Sequence, residues 1–161
     1  MSYKNIDNIA IEDAQIIFRN FAGAESQYNR AGNRNFNVII DDPDMAQKLI
    51  EDGWNIKQLK PRDDEEMPKY RLEVSVAFGN FPPNIFMVTK HNKTKLDEES
   101  VAALDYAELK TVDLIIRPYQ WDVNGKQGIK AYLKTGYFVV EEDEFAAKYA
   151  EEEFPVEIPF N

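Results

Sequence analysis

Six side chains in the last third of the chain could together hold a flexible polyanion: Arg117, Tyr119, Trp121, Lys130, Tyr132 and Lys134. They recur at every second residue on either side of Asn124-Gly125. Asn-Gly between apolar runs signals a two-residue hairpin turn. A hairpin centred there predicts Trp121 opposite Gly128, Tyr119 opposite Lys130, Arg117 opposite Tyr132 and Ile115 opposite Lys134. Opposed residues share one side of a sheet. One side then alternates rings with cations. The other carries Leu114, Ile116, Pro118, Ile129, Ala131 and Leu133, with Gln120 and Thr135 at its margins, and reads as a core face. Rings that stack on bases, next to cations that meet phosphates, are what single-stranded nucleic acid requires. Arg117 can itself stack on a ring. The same pattern suits aromatics packed beneath a loop with solubilising lysines beside them, because aromatics favour strands for packing reasons alone. The hairpin by itself leaves both readings open.

Other basic and aromatic positions extend the candidate surface. Arg19 shares a strand face with Phe21, and the following loop carries Tyr28, Arg30 and Arg34. Lys57, Arg62 and Arg71 are further candidates, each alone an ordinary surface charge. Trp54 follows a helix stop and is expected in the core. Signals for catalysis are weak. His91 is the single histidine and stands in the turn TKHNKTK. The absence of cysteine excludes disulfides, thiolate zinc sites and cysteine nucleophiles. Asp41, Asp42 and Asp44 fit helix capping better than a cation site, and Asp63 to Glu66 reads as a solvated loop. A non-catalytic protein with no cofactor and no metal is expected.

The elements that must position these residues are mostly strands. Stretches 14–21, 34–40, 54–59, 70–78, 85–90, 112–121 and 127–140 read as strands, the fourth and last pairs flanking GNFPPN and Asn124-Gly125. Residues 70–78 alternate with period two, as a half-buried strand does. Asp42 and Pro43 open a helix that stops at Gly53. Asp97 caps a second short helix through Tyr106, and residues 1–13 read as a loose arm. The expected fold is a mainly β, OB-type Greek-key barrel with additional strands and two short helices. It occupies residues 1–140 as one domain, and an acidic C-terminal tail follows over 141–161.

Charge supports that division. The chain carries a net −10 over 161 residues. Residues 141–161 hold eight acids against Lys148, a charge of −7, which leaves 18 basic against 21 acidic residues, −3, for the body. Acidic tails of this kind are solvated and serve as interaction arms. The apolar tip Ile158-Pro159-Phe160 gives a partner something to bury. No run approaches the roughly 20 apolar residues of a membrane span. The opening MSYKNIDNIAIEDA lacks a charged-then-apolar signal pattern. A cytoplasmic location without membrane contact is expected.

The cationic hairpin, the mainly β body and the tail ending EIPF together resemble replication single-stranded-DNA-binding proteins. Glu157 to Phe160 looks like the acidic, Ile-Pro-Phe tip of the bacterial proteins, although Asn161 follows Phe160 here. Residues 18–36, 53–63 and 123–133 are similar to a family of small tailed-phage proteins of this function with an oligonucleotide-binding (OB) fold. The resemblance covers about residues 12–140 and the tail tip. It implies coating of single-stranded DNA without sequence preference, DNA contact by the loop joining the first two strands, and recruitment of replication or recombination proteins through the tail. For a phage protein, that location is the host cytoplasm. Three rivals remain: an acidic DNA mimic that blocks a DNA-binding enzyme, a carboxylate-only metal hydrolase, and a phage structural or adaptor domain. The concentration of charge in one terminal segment disfavours the mimic, which needs carboxylates spread over a folded surface.

Overall fold

The computed structural model describes residues 5–60 and 67–141. Among them lie nine strands: β1 (Ile9–Ile11), β2 (Ile16–Asn20), β3 (Arg34–Ile40), β4 (Ile56–Leu59), β5 (Lys69–Val76), β6 (Asn84–Val88), β7 (Lys93–Leu96), β8 (Leu109–Val123) and β9 (Lys126–Val140). One α-helix, α1 (Pro43–Asp52), follows β3. The second expected helix is a single 3-10 segment, Val101–Asp105. Asp97 organises the turn before it by accepting from Ser100 Oγ and from the Ser100 and Glu99 amides. These bonds, that from the Ser100 side chain foremost, hold the Asp97 carboxyl below the usual range.

Helix α1 begins and ends as its residues dictate. The Asp42 side chain accepts from the Asp44 amide at 2.9 Å, and Pro43 occupies the first turn, where no amide is needed. Gly53 takes a left-handed φ of 107° and donates to Leu49 and Ile50 carbonyls. Its own carbonyl then accepts from Ile129 N, which docks the helix end on β9.

The main sheet path runs β1-β8-β9-β5-β3-β2. Its two end strands are neighbours in sequence, joined by residues 12–15. Ala14 N bonds to Val112 O on β8, and Ile39 N on β3 bonds to Gln15 O. So short a bridge between the two ends requires the sheet to bend round on itself, although the ladder stays open between β1 and β2. Inward residues of β3 (Phe36, Val38), β5 (Leu72, Val74), β8 (Leu114, Ile116) and β9 (Leu133, Phe138) fill the interior. At its centre Phe21, Phe36 and Phe138 meet, stacked in one pair and edge-on in two, with centroids 5.2–6.4 Å apart.

Three expectations about this body need correction. The first strand is not preceded by a loose arm throughout, because Ile9–Ile11 pairs antiparallel with Leu114 to Ile116. The segment after His91 is a strand, β7, whose composition of Lys-Thr-Lys-Leu hid it. His91 itself is exposed in the turn between β6 and β7. Finally, β6 does not return along β5; it runs parallel to β9 and antiparallel to β7. Strand β9 thus shares one edge between β5, at Val74 and Ser75, and β6 further along. No helix among the described residues is long and apolar enough to cross a membrane.

Candidate nucleic-acid interface

The β8–β9 hairpin turns at Asn124-Gly125 with φ of 52° and 81°. Both positive values are those that the primed two-residue turn demands. From there to Ile116↔Leu133 the register is the one the turn predicts, including Trp121↔Gly128, Tyr119↔Lys130 and Arg117↔Tyr132. It then slips. Ile115 pairs with Thr135 rather than Lys134, so Lys134 is the extra, exposed residue of a bulge. Beyond it Gly136 lies against Phe138, where a side chain would collide with the ring. That close approach explains a glycine inside a strand.

The outer face of the hairpin is assembled ring on cation. Tyr132 is the hub. The Arg117 guanidinium lies 4.9 Å and Lys130 Nζ 5.2 Å from its ring centroid, and Tyr119 meets it edge-on at 6.1 Å. Arg117 also reaches the ring of Phe81 at 5.6 Å. Phe81 escaped the sequence reading because it sits in a Gly-Pro-rich turn; it is 74% exposed. The Trp121 indole packs against Gly128, whose missing Cβ would stand 2.9 Å from Trp121 Cζ2. Trp54, by contrast, is buried as expected.

Two open cavities adjoin along this face. The larger, about 640 Å³, has Tyr28, Arg30, Arg34, Lys130 and Tyr132 on its walls, with Asn35, Glu73 and Ser75 contributed by β3 and β5. The smaller, about 430 Å³, runs between Trp121 and Trp54 and shares Glu73, Ser75 and Lys130 with the first. Together they make one groove across β3, β5 and β9. Tyr28 reaches it from a loop that its own polar groups hold in shape. Asn29 Nδ2 donates to the Ala24, Arg30 and Asn33 carbonyls, and Gly32 N bonds to Gly23 O. The Tyr28 ring is 89% exposed. Arg34 is paired with Glu98 at 3.3 Å and lies over Phe78.

The predicted residues therefore divide. Tyr28, Arg30, Arg34, Arg117, Tyr119, Trp121, Lys130 and Tyr132 are brought to one groove and its rim. Lys134 stands on the bulge beyond it. Arg19 is elsewhere: its Nη1 donates to both Leu104 O and Ala107 O at 2.8 Å, so its guanidinium ties β2 to the 3-10 segment. Its expected face-mate Phe21 is wholly buried, because the strand is bulged between Ile17 and Asn20. Lys57 and Arg71 pair across β4 and β5 on the outer side. Arg62, and Ile158, Pro159 and Phe160 of the tail, lie outside the described residues. Among the described residues no three His, Cys, Asp or Glu side chains converge as metal ligands.

A family model described as "Putative phage ssDNA-binding domain" matches residues 1–158. The chain belongs to this phage family. No curated protein matches it. Among solved structures it is similar to the single-stranded DNA-binding protein from bacteriophage Enc34 in complex with ssDNA. That match has a TM-score of 0.56 at 12% identity, covering 86% of this chain and 89% of the other. A C-terminal truncation of the same phage protein gives a TM-score of 0.55 at 11% identity, covering 85% and 87%. At such identity the likeness is one of fold. The family assignment rests on the match over residues 1–158, and the solved structures show that the fold is shared.

Proposed function

We propose that this protein binds single-stranded DNA without sequence preference, as a non-catalytic coat for exposed strands in phage replication or recombination inside the host cell. The observation that carries the reading is the groove itself. Stackable rings from a loop and a hairpin far apart in sequence line one open channel, Arg30, Arg34 and Lys130 share its walls, and two cations lie against the Tyr132 ring. Tyr28, Tyr132, Tyr119 and Trp121 offer π-faces to bases, while Arg30, Arg34, Arg117 and Lys130 meet phosphates. Such recognition reads no base edges, so it tolerates any sequence. The family and the shared fold support the same ligand, and the OB-type barrel with its acidic tail completes the proposed architecture.

Residues 141–161 act in this reading as an internal competitor and a recruiting arm. A segment of charge −7 on the same chain as a cationic groove has, if a short flexible linker lets it reach the groove, an effective concentration on the order of millimolar. It opposes the DNA backbone until DNA displaces it, and Ile158, Pro159 and Phe160 then anchor replication or recombination partners. A gel-shift titration with single-stranded and duplex oligonucleotides, with and without residues 141–161, tests both parts. Tighter binding to the single strand is expected, and tighter still after truncation, most clearly at low salt where screening is weak. Equal affinity for duplex would sink the binding proposal; weaker binding after truncation would sink the role of the tail.

Glu98 provides a second handle. It neutralises Arg34 at the groove wall, and an exposed pair of this kind is worth about 0.2–1 kcal/mol. Glu98→Gln is expected to free the guanidinium for phosphate and strengthen binding by about that amount. Fluorescence anisotropy at two salt concentrations reads the gain, which should shrink at high salt.

A further inference from the structure

Phe18 sits in a conformation that a phenylalanine avoids. Its φ is 53°, in the left-handed region where a bulky side chain is an outlier. The bulge in β2 between Ile17 and Asn20 accommodates it. The result is a ring 62% exposed on the outside of the sheet. Strain that turns an apolar ring towards water has no packing benefit, and strained backbone gathers at ligand-binding positions.

The ring is also furnished with charge. The Arg71 guanidinium lies 5.8 Å from its centroid. Arg71 is fixed in turn, since its Nη1 donates at 2.7 Å to Oδ1 of Asn37. Asn37 is the one buried polar residue among the described residues. A polar side chain is rarely placed there without a partner to hold. Lys57 stands opposite Arg71 on the neighbouring strand, exposed and on the same side. Like the centre of the groove, this site sets an aromatic ring beside an arginine and a lysine.

Its position continues the groove. Asn37 is opposite Glu73, and Glu73 lies on the floor of both cavities. Arg71 is two residues from Glu73 on the same side of β5, about 7 Å at strand spacing. We propose that Phe18, Arg71 and Lys57 form a further nucleotide subsite, in which a base stacks on the open face of Phe18 and its phosphates meet Arg71 and Lys57. The track for single-stranded DNA then runs from the hairpin across β5 and β3 to β2. This inference rests on the groove being the DNA site, and it adds length to that site.

Phe18→Gly tests it, because glycine accepts the positive φ without steric cost. The variant is expected to keep or raise the melting temperature, since the strain is removed with the ring. Its affinity for an oligothymidylate of about 16 nucleotides, the upper end of single-domain site sizes, should fall by about 5- to 150-fold, the equivalent of one lost stack. Phe18→Trp should bind like the wild type, and DNA should change the emission of the added indole relative to wild type. Unchanged affinity of Phe18→Gly, or loss only in proportion to unfolding, overturns the subsite, as does an added indole that DNA leaves unaltered. In both cases Tyr132→Ala would still weaken binding in the same assay. Failure of the wild type to bind the oligonucleotide would instead overturn the groove as the DNA site.

Discussion

Truncating Phe138 to alanine is expected to cost about 3–5 kcal/mol of stability, the range for a fully buried phenylalanine. Phe138 is fully buried between Phe21 and Phe36, which it meets edge-on. Those rings come from β9, from the end of β2 and from β3, so the triad joins the hairpin to the far strands of the sheet path. Edge-on aromatic pairs add about 0.5–1.5 kcal/mol beyond area burial, which places this site toward the upper end of the range. Gly136 bears on the same ring, so the backbone cannot close the vacated space without disturbing the bulge at Lys134. Denaturant unfolding monitored by circular dichroism checks the loss. Because Phe138 faces inward while Tyr132 faces outward, affinity per folded molecule should change little. A fall below about 1 kcal/mol, less than any phenylalanine truncation of this kind, would mean that the triad is not the centre of the core.

How much of this was legible in the sequence depends on how local the signal was. The hairpin register was readable because Asn124-Gly125 fixes it, and pairing propagates outward residue by residue. It failed at Ile115 because a bulge shifts the count by one with no turn residue to announce it. Gly136 was the available clue, as an interior strand glycine marks a bulge or a close approach. Helix α1 was readable from Asp42, Pro43 and Gly53, each with a local reason. The parallel pairings of β9 with β5 and β6 were not, since no tight turn joins parallel strands. Strands β1 and β7 are three and four residues long, too short for periodicity to rise above composition.

The candidate site was legible by half for the same reason. Alternation on the hairpin gave Arg117, Tyr119, Trp121, Lys130 and Tyr132. Tyr28 and Arg30 came from a polar loop whose approach to Tyr132 only the folded chain reveals. Phe81 and Phe18 were passed over because each is a single aromatic, one in a turn and one in a strand whose face the bulge alters. Arg19 shows the opposite error. A lone arginine on a strand read as phosphate-binding, yet two carbonyls claim it.

Tyr132→Ala is expected to weaken single-stranded DNA binding by about 1–3 kcal/mol if one base stacks on the ring, and toward the upper limit for reasons of arrangement. The ring does more than offer a face. Arg117 and Lys130 both lie within about 6 Å of its centroid, the reach of a cation–π contact. Each such contact holds a flexible cation where a phosphate can find it. Removing the ring releases both and also deprives Tyr119 of its edge-on neighbour. The loss should therefore exceed that of Lys130→Ala alone, which removes a charge and leaves the platform. A double-mutant cycle between Tyr132 and Arg117, measured by anisotropy, should show coupling, because the two act as one unit. Stability should change far less than for Phe138→Ala, since Tyr132 is only partly buried on the outer face. If the two substitutions proved additive in binding and Tyr132→Ala instead unfolded the protein, the ring would belong to the fold and the groove would lose its centre.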